Sequence, residues 1–136
     1  MRIYVASSFK NKVVVADTIA KLRERGHVIT HDWTLCTDAG LSYTERVNYL
    51  RSCADADYAG VYACDLLLLI DHPECRVAYT EMGMAIAQGE MVVVVGAVGG
   101  HYENTYRNVF MYLPSIIHVQ SISDALTVID NPGVTL

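Results

Sequence analysis

Charge is scarce in this sequence: only 18% of the 136 residues are Asp, Glu, Lys or Arg. That excludes a coiled coil, whose exposed faces need far more. Nor do the basic groups form a stripe interleaved with aromatics of the kind that follows a phosphate backbone. Six of the ten (Arg2, Lys10, Lys12, Lys21, Arg23, Arg25) fall in the first 25 residues, where they outnumber Asp17 and Glu24 and give +4, leaving −9 for the rest. Most of them decorate one early helix. A solvated helix face is at least as good a reading as a partner surface, and no nucleic-acid polymer is expected as a partner.

Long apolar runs are also missing. The longest, Met91–Val98, has eight residues interrupted by Gly96, far short of the roughly 20 that a membrane-spanning helix needs. Polar Ser7-Ser8 follow Arg2 too soon to leave a signal-peptide core. The chain therefore reads as cytoplasmic, with no membrane association.

Close cysteine pairs are absent too. Cys36, Cys53, Cys64 and Cys75 lie 17, 11 and 11 residues apart, whereas structural zinc and redox motifs need near neighbours. They read as reduced, small apolar residues. His27 and His31 are four apart but fall on an expected strand, where that spacing does not converge on one ion, so no metal site is expected. The glycines of a P-loop or dinucleotide fingerprint are lacking, which disfavours ATP and NAD. Gly96-Ala97-Val98-Gly99-Gly100 has no following lysine and reads as a flexible loop. No Ser, His or Cys stands in a nucleophile-elbow context.

What the chain does have is apolar content, 52% over 136 residues, enough for one core and excluding disorder. Strand and helix signals alternate. Strands are expected at Arg2–Ala6, Val28–Trp33, Leu66–Ile70, Met91–Val95 and Ile116–Val119. Helices are expected at Asn11–Arg25 (apolar face Val14, Val15, Thr18, Ile19, Leu22, stopped by Gly26), from Ser42 into Ala54–Ala59, at Val77–Gln88 with Gly89 behind it, and at Ser121–Ile129. A further short segment is expected around Asn104–Leu113. Ser42 with Glu45 three residues on has the form of a capping box. The continuous runs Leu66–Ile70 and Met91–Val95 suit strands covered on both faces. The alternation implies a single α/β domain over residues 1–136, a flavodoxin/Rossmann-like three-layer sandwich on a five-stranded parallel sheet. Ligands of such folds bind beyond the carboxyl ends of the strands, where strand order reverses.

Four segments meet at that edge: 6–11, 33–41, 71–76 and 96–100. Glu81 lies in the first turn or so of an otherwise small and apolar helix. Two readings stand: a carboxylate facing the cleft, or one that merely complements the helix dipole. The loop Ser7-Ser8-Phe9-Lys10-Asn11 is either an anion cradle or simple helix capping. Asp71 ends the third strand at the ligand edge, Asp57 comes from the preceding helix or loop, and Asp65 opens the strand at the opposite edge as a turn residue.

Three segments together, Ile3-Tyr4-Val5-Ala6-Ser7-Ser8-Phe9, Asp57-x-x-Gly60-x-x-x-x-Asp65-Leu-Leu-Leu-Leu-Ile70 and Glu81-Met-Gly-Met-Ala85-x-Ala-x-Gly89, resemble the nucleoside 2-deoxyribosyltransferase family. That family includes related 2'-deoxynucleoside 5'-phosphate N-hydrolases, and the resemblance spans about Ile3 to Val119. It implies a nucleophilic Glu81 that attacks the anomeric carbon in a retaining double displacement. It also implies that Tyr4 orients Glu81 and that Asp57 contacts the base and assists its protonation. No metal or organic cofactor is implied. Asn108 resembles a residue given to a neighbouring subunit's sugar site, which implies a homodimer or higher homo-oligomer with shared active sites. Where the transferases carry aspartate and the hydrolases serine, this chain has Cys75, followed by Arg76. Lys10 and Arg76 then suit a 5'-phosphate, and Ser8-Phe9-Lys10-Asn11 resembles the hydrolases' phosphate loop. The expected substrate is a nucleoside or nucleotide. Transfer of the deoxyribosyl group to another nucleobase stands first, monophosphate hydrolysis second, and a nucleotide-sensing module without turnover third.

Overall fold

The computed structural model describes residues 1–96 and 108–133. The expectations for Gly99 and Gly100, and for the Asn104–Arg107 part of the short segment, lie outside the described residues. In chain order the elements are β1 (Arg2–Ala6), α1 (Lys12–Glu24), β2 (Val28–Ile29), α2 (Tyr43–Tyr62), β3 (Leu66–Ile70), α3 (Val77–Gln88), β4 (Met91–Val95), β5 (Ile116–Val119) and α4 (Ile122–Asp130). Single 3-10 turns stand at Phe9–Asn11, Trp33–Leu35 and Val109–Tyr112.

The five strands form one sheet in the order β2-β1-β3-β4-β5, and every pairing is parallel. This is the flavodoxin-like order. The apolar runs explain its centre. Leu66–Leu69 are wholly buried and Ile70 is 5% exposed, because β3 sits mid-sheet with helices over both faces. α2 packs on α3, and α3 on β1, β3 and β4. Arg25 at the end of α1 pairs with Asp130 of α4, so those two helices share the other face. At the amino edge of the sheet Asp65 Oδ1 accepts from two nitrogens of the Arg2 guanidinium and Oδ2 from the Arg2 amide, which draws the carboxyl down to about 2.

Local chemistry sets the boundaries. Ser42 Oγ accepts from the Glu45 amide while Glu45 accepts from the Ser42 amide, closing the capping box that starts α2. Gly89 ends α3 at φ 76°, a left-handed conformation that glycine adopts without a Cβ penalty. The second strand is shorter than the sequence suggests: Val28–Ile29 rather than Val28–Trp33. Beyond Thr30 the chain leaves the sheet, because Asp32 turns its carboxylate onto the Thr34 amide (3.2 Å) and the Trp33 indole donates to Val5 O (2.7 Å). Val14, expected on the buried face of α1, is 39% exposed, while Val15, Thr18, Ile19 and Leu22 are buried.

The winding reverses between β1 and β3: β2 lies on one side of β1, and β3, β4 and β5 follow on the other. Loops leaving β1 and β3 must therefore diverge, and a crevice opens at their carboxyl ends.

Candidate active site

A cleft of about 660 Å³ occupies that crevice. Its size suits a nucleotide-sized ligand. The loop after β1 supplies Ser7, Ser8, Phe9 and Lys10, and the loop after β3 supplies Glu74 and Arg76. The segment after β2 supplies Trp33, Cys36, Thr37 and Asp38. α2 supplies Tyr49, Leu50, Cys53 and Asp57, and α3 supplies Val77 and Glu81.

Glu81 is only 7% exposed. It stands five residues into α3, in the second turn, so it does not complement the helix dipole: the first turn holds no acidic residue. This removes the bland alternative that the sequence left open. Among the described residues its hydrogen-bond partner is Tyr4, whose hydroxyl lies 2.8 Å from Glu81 Oε1 and 3.1 Å from Asp57 Oδ1. Tyr4 is fully buried on β1, and its ring is held against α2 because residue 60 is glycine. A Cβ there would stand 3.0 Å from the Tyr4 ring and 2.6 Å from His31 Cβ. Asp57 and Gly60, one turn apart on α2, thus present one acidic group and one gap to the same phenol.

Electrostatics follow from this burial. Desolvation pushes Glu81 up to about 7; the Asp57 charge adds to the rise and the Tyr4 hydrogen bond opposes it. Desolvation also raises Asp57, against the Tyr4 hydrogen bond and the His31 ring, whose Nε2 lies 3.4 Å from Asp57 Oδ1. The phenol is held far above its usual range by burial first and the two carboxylates next. Two carboxyl groups bound to one phenol, with a protonated form retained near neutrality, can divide acid and nucleophile roles.

The rim is cationic in part. Lys10 Nζ pairs with Glu74 at 2.8 Å, both exposed, a pair of little net worth that an anion can replace. Arg76 is exposed; its carbonyl accepts from the Tyr79 amide (3.2 Å), and its guanidinium makes no ion pair or hydrogen bond among the described residues. Within the first loop, Ser8 Oγ accepts from the Lys10 amide (3.3 Å), and Ser7 Oγ donates to Ile70 O (2.7 Å), tying β1 to β3. These two serines thus serve the loop's own structure while lining the cleft.

Three sequence candidates stand elsewhere. Cys75 is 4% exposed and turns its sulfur toward Ile70 O, outside the cleft. The Asp71 carboxylate accepts from Tyr79 OH at 2.8 Å and does not line the cleft. Asn108 caps the 3-10 turn Val109–Tyr112 by accepting from the Phe110 amide (3.0 Å) and does not line its own chain's cleft.

Sequence reasoning placed the 33–41 segment at this edge but missed the α2 part of the opposite wall, Tyr49, Leu50 and Cys53. Trp33, 6.1 Å from Phe9 between ring centroids, and Leu50 give it flat apolar surface. His31 was also missed, and the one available signal was Gly60 in the Asp57-x-x-Gly60 motif, which makes room for it. All four cysteines are free thiols, with the Cys36 and Cys53 sulfurs 3.9 Å apart in this wall. Among the described residues, no three His, Cys, Asp or Glu side chains are grouped as a metal site requires, and no helix is long and apolar enough to cross a membrane.

A doubly wound parallel sheet with its cleft at the switch point places the chain in the flavodoxin-like class of α/β folds. No family model matches the sequence, and no curated protein does either. Within the fold class, the chain is similar to the solved structure of a Clostridium botulinum CMP N-glycosidase, BcmB. The TM-score is 0.59 at 17% identity, over 96% of this chain and 99% of that one. At that identity the likeness is one of fold.

Proposed function

We propose that this protein is a nucleotide N-glycosidase, which cleaves the bond between base and sugar of a nucleoside 5'-monophosphate with water as the final acceptor. The observation that carries this is Glu81: a carboxylate 7% exposed, held by Tyr4 at 2.8 Å, in a cleft whose rim bears Lys10 and Arg76. A fold shared with a CMP N-glycosidase supports the same reaction class.

In this reading ionised Glu81 attacks the anomeric carbon, and the electron pair of the C–N bond leaves with the base. Asp57 gives the base a proton and later takes one from the water that releases the sugar from Glu81. Arg76 receives the 5'-phosphate, with Lys10 exchanging Glu74 for it. Phe9 and Trp33 flank the base. The rim charge moves monophosphate hydrolysis ahead of the base transfer that the sequence resemblance put first.

Chromatography after incubation with nucleosides and nucleoside 5'-monophosphates, with and without a second free base, tests this. Free base from monophosphates supports it. A new base–sugar product would make the protein a transferase, and binding without cleavage a sensor.

We also propose a homo-oligomer. Val109, Phe110 and Tyr112 beside Asn108 are 57–68% exposed, as are Tyr58 and Tyr62 on α2 at 60% and 65%. Sedimentation should show a dimer or larger, and a monomer at micromolar concentration would refute it.

A further inference from the structure

The phenol of Tyr4 carries one hydrogen, yet two carboxylate oxygens lie within reach of it, Glu81 Oε1 at 2.8 Å and Asp57 Oδ1 at 3.1 Å. It can donate to only one of them at a time. Two acids this close do not both ionise readily, so the three groups together hold one further proton around neutrality.

Burial decides where that proton rests. Glu81 is 7% exposed and has no cation beside it, whereas the Asp57 side chain is 25% exposed with His31 Nε2 at 3.4 Å. The nitrogen of His31 is itself buried and has no other partner among the described residues. Lys10, Glu74 and Arg76 stand at the exposed rim, so the titratable groups that act on Glu81 are Tyr4 from β1 and Asp57 from α2, with His31 from the segment after β2 beside Asp57. The resting arrangement is therefore protonated Glu81 and ionised Asp57. That is the reverse of what the proposed reaction needs, where Glu81 must attack as an anion and Asp57 must supply a proton to the base.

We infer that Tyr4 is a proton relay that interconverts these two forms. Glu81 passes its proton to the phenolic oxygen as the phenol passes its own hydrogen to Asp57 Oδ1. Both new O–H bonds replace old ones, the net charge is unchanged, and no water enters. The product is ionised Glu81, now accepting from the phenol, beside an Asp57 carboxylic acid. The phenol ends as it began, poised for the reverse shift once water has released the sugar from Glu81 and Asp57 has taken its proton. Tyr4 thus does more than orient Glu81, which is all the sequence resemblance implies for it.

This inference rests on the N-glycosidase reading, and a pair of substrates separates the two. CMP carries a neutral base that needs a proton to leave. 1,N7-dimethylguanosine 5'-monophosphate carries a base that stays cationic across neutral pH, because methylation at both nitrogens leaves N1 no proton to lose; it needs none to leave, so ionised Glu81 suffices. With wild-type protein, kcat/KM for CMP should fall as pH rises above about 7, as Glu81 loses the shared proton. For the dimethylated nucleotide it should rise through the same range to a plateau. Tyr4→Phe should lower kcat for CMP at least about tenfold more than kcat for the methylated substrate. Equal losses on both substrates, or the same pH profile for both, would mean that Tyr4 only orients Glu81 and would overturn the relay. Circular dichroism and the melting curve of Tyr4→Phe distinguish unfolding from either result, and in a misfolded variant the wild-type profiles still decide. Cleavage of neither nucleotide by the wild type would defeat the function reading itself.

Discussion

Glu81→Gln should make this protein more stable and inactive at once. A carboxylate buried to 7% exposure has its pKa raised from 4.5 to about 7. The folded state therefore holds the Glu81 proton more tightly than the unfolded chain does. The direction is that of a raised acid: stability is greatest below 4.5, falls between 4.5 and about 7, and bears the full cost above. That rise is worth about 3 kcal/mol. Glutamine has nearly the same shape, keeps an oxygen to accept from Tyr4, and never ionises. The variant's advantage over wild type should thus grow from about 1 kcal/mol at pH 5 to about 3 kcal/mol at pH 8.5. Urea unfolding followed by the fluorescence of Trp33, the chain's single tryptophan, measures both values. Because all other groups are shared, the difference between the two proteins isolates position 81. An advantage that does not grow with pH, or a variant less stable than wild type at pH 8.5, would refute the burial argument.

Arg76→Ala should raise KM for a monophosphate about tenfold or more while leaving cleavage of the matching nucleoside unchanged; steady-state kinetics on both substrates checks it. Lys10→Ala should act in the same direction but less, because Lys10 must first leave Glu74. Gly60→Ala should cost about 1–3 kcal/mol in a denaturant titration. Its new methyl would stand 2.6 Å from His31 Cβ and 3.0 Å from the Tyr4 ring. Activity should fall with it, since those two side chains hold Asp57 and Glu81. Asp57→Asn should bring the Glu81 titration, followed by carbon NMR of labelled glutamate, below about 7 by removing a neighbouring negative charge.

The centre of the fold was legible because its signals are local. β3, β4, β5 and α3 match the expected bounds, since continuous apolar runs flanked by polar or glycine residues admit few other readings. The capping box at Ser42 and Glu45 is complete within four residues and needs no tertiary context. What failed depends on distant partners. Thr30–Trp33 look strand-like, but the hydrogen bond from Trp33 to Val5 and the cap from Asp32 bend them away from the sheet. Asp71 and Cys75 lie on the right loop by sequence, and only packing shows that they turn toward Tyr79 and Ile70. At the site, Glu81 stood out as a carboxylate in an apolar helix, while the roles of Tyr4, Asp57 and Glu81 came from a resemblance, and their common hydrogen-bond centre joins residues up to 77 apart in sequence. The wall of Trp33, Leu50 and Cys53 carries no motif, because it arises where α2 crosses the loop after β2.

The most direct measurement is the release of free base from nucleoside 5'-monophosphates by wild-type protein and by Glu81→Gln, read by chromatography. Free base from the wild type alone, and faster from monophosphates than from nucleosides, is the expected result. No base from any nucleotide, or release that survives in Glu81→Gln, would contradict the proposed role of the buried glutamate.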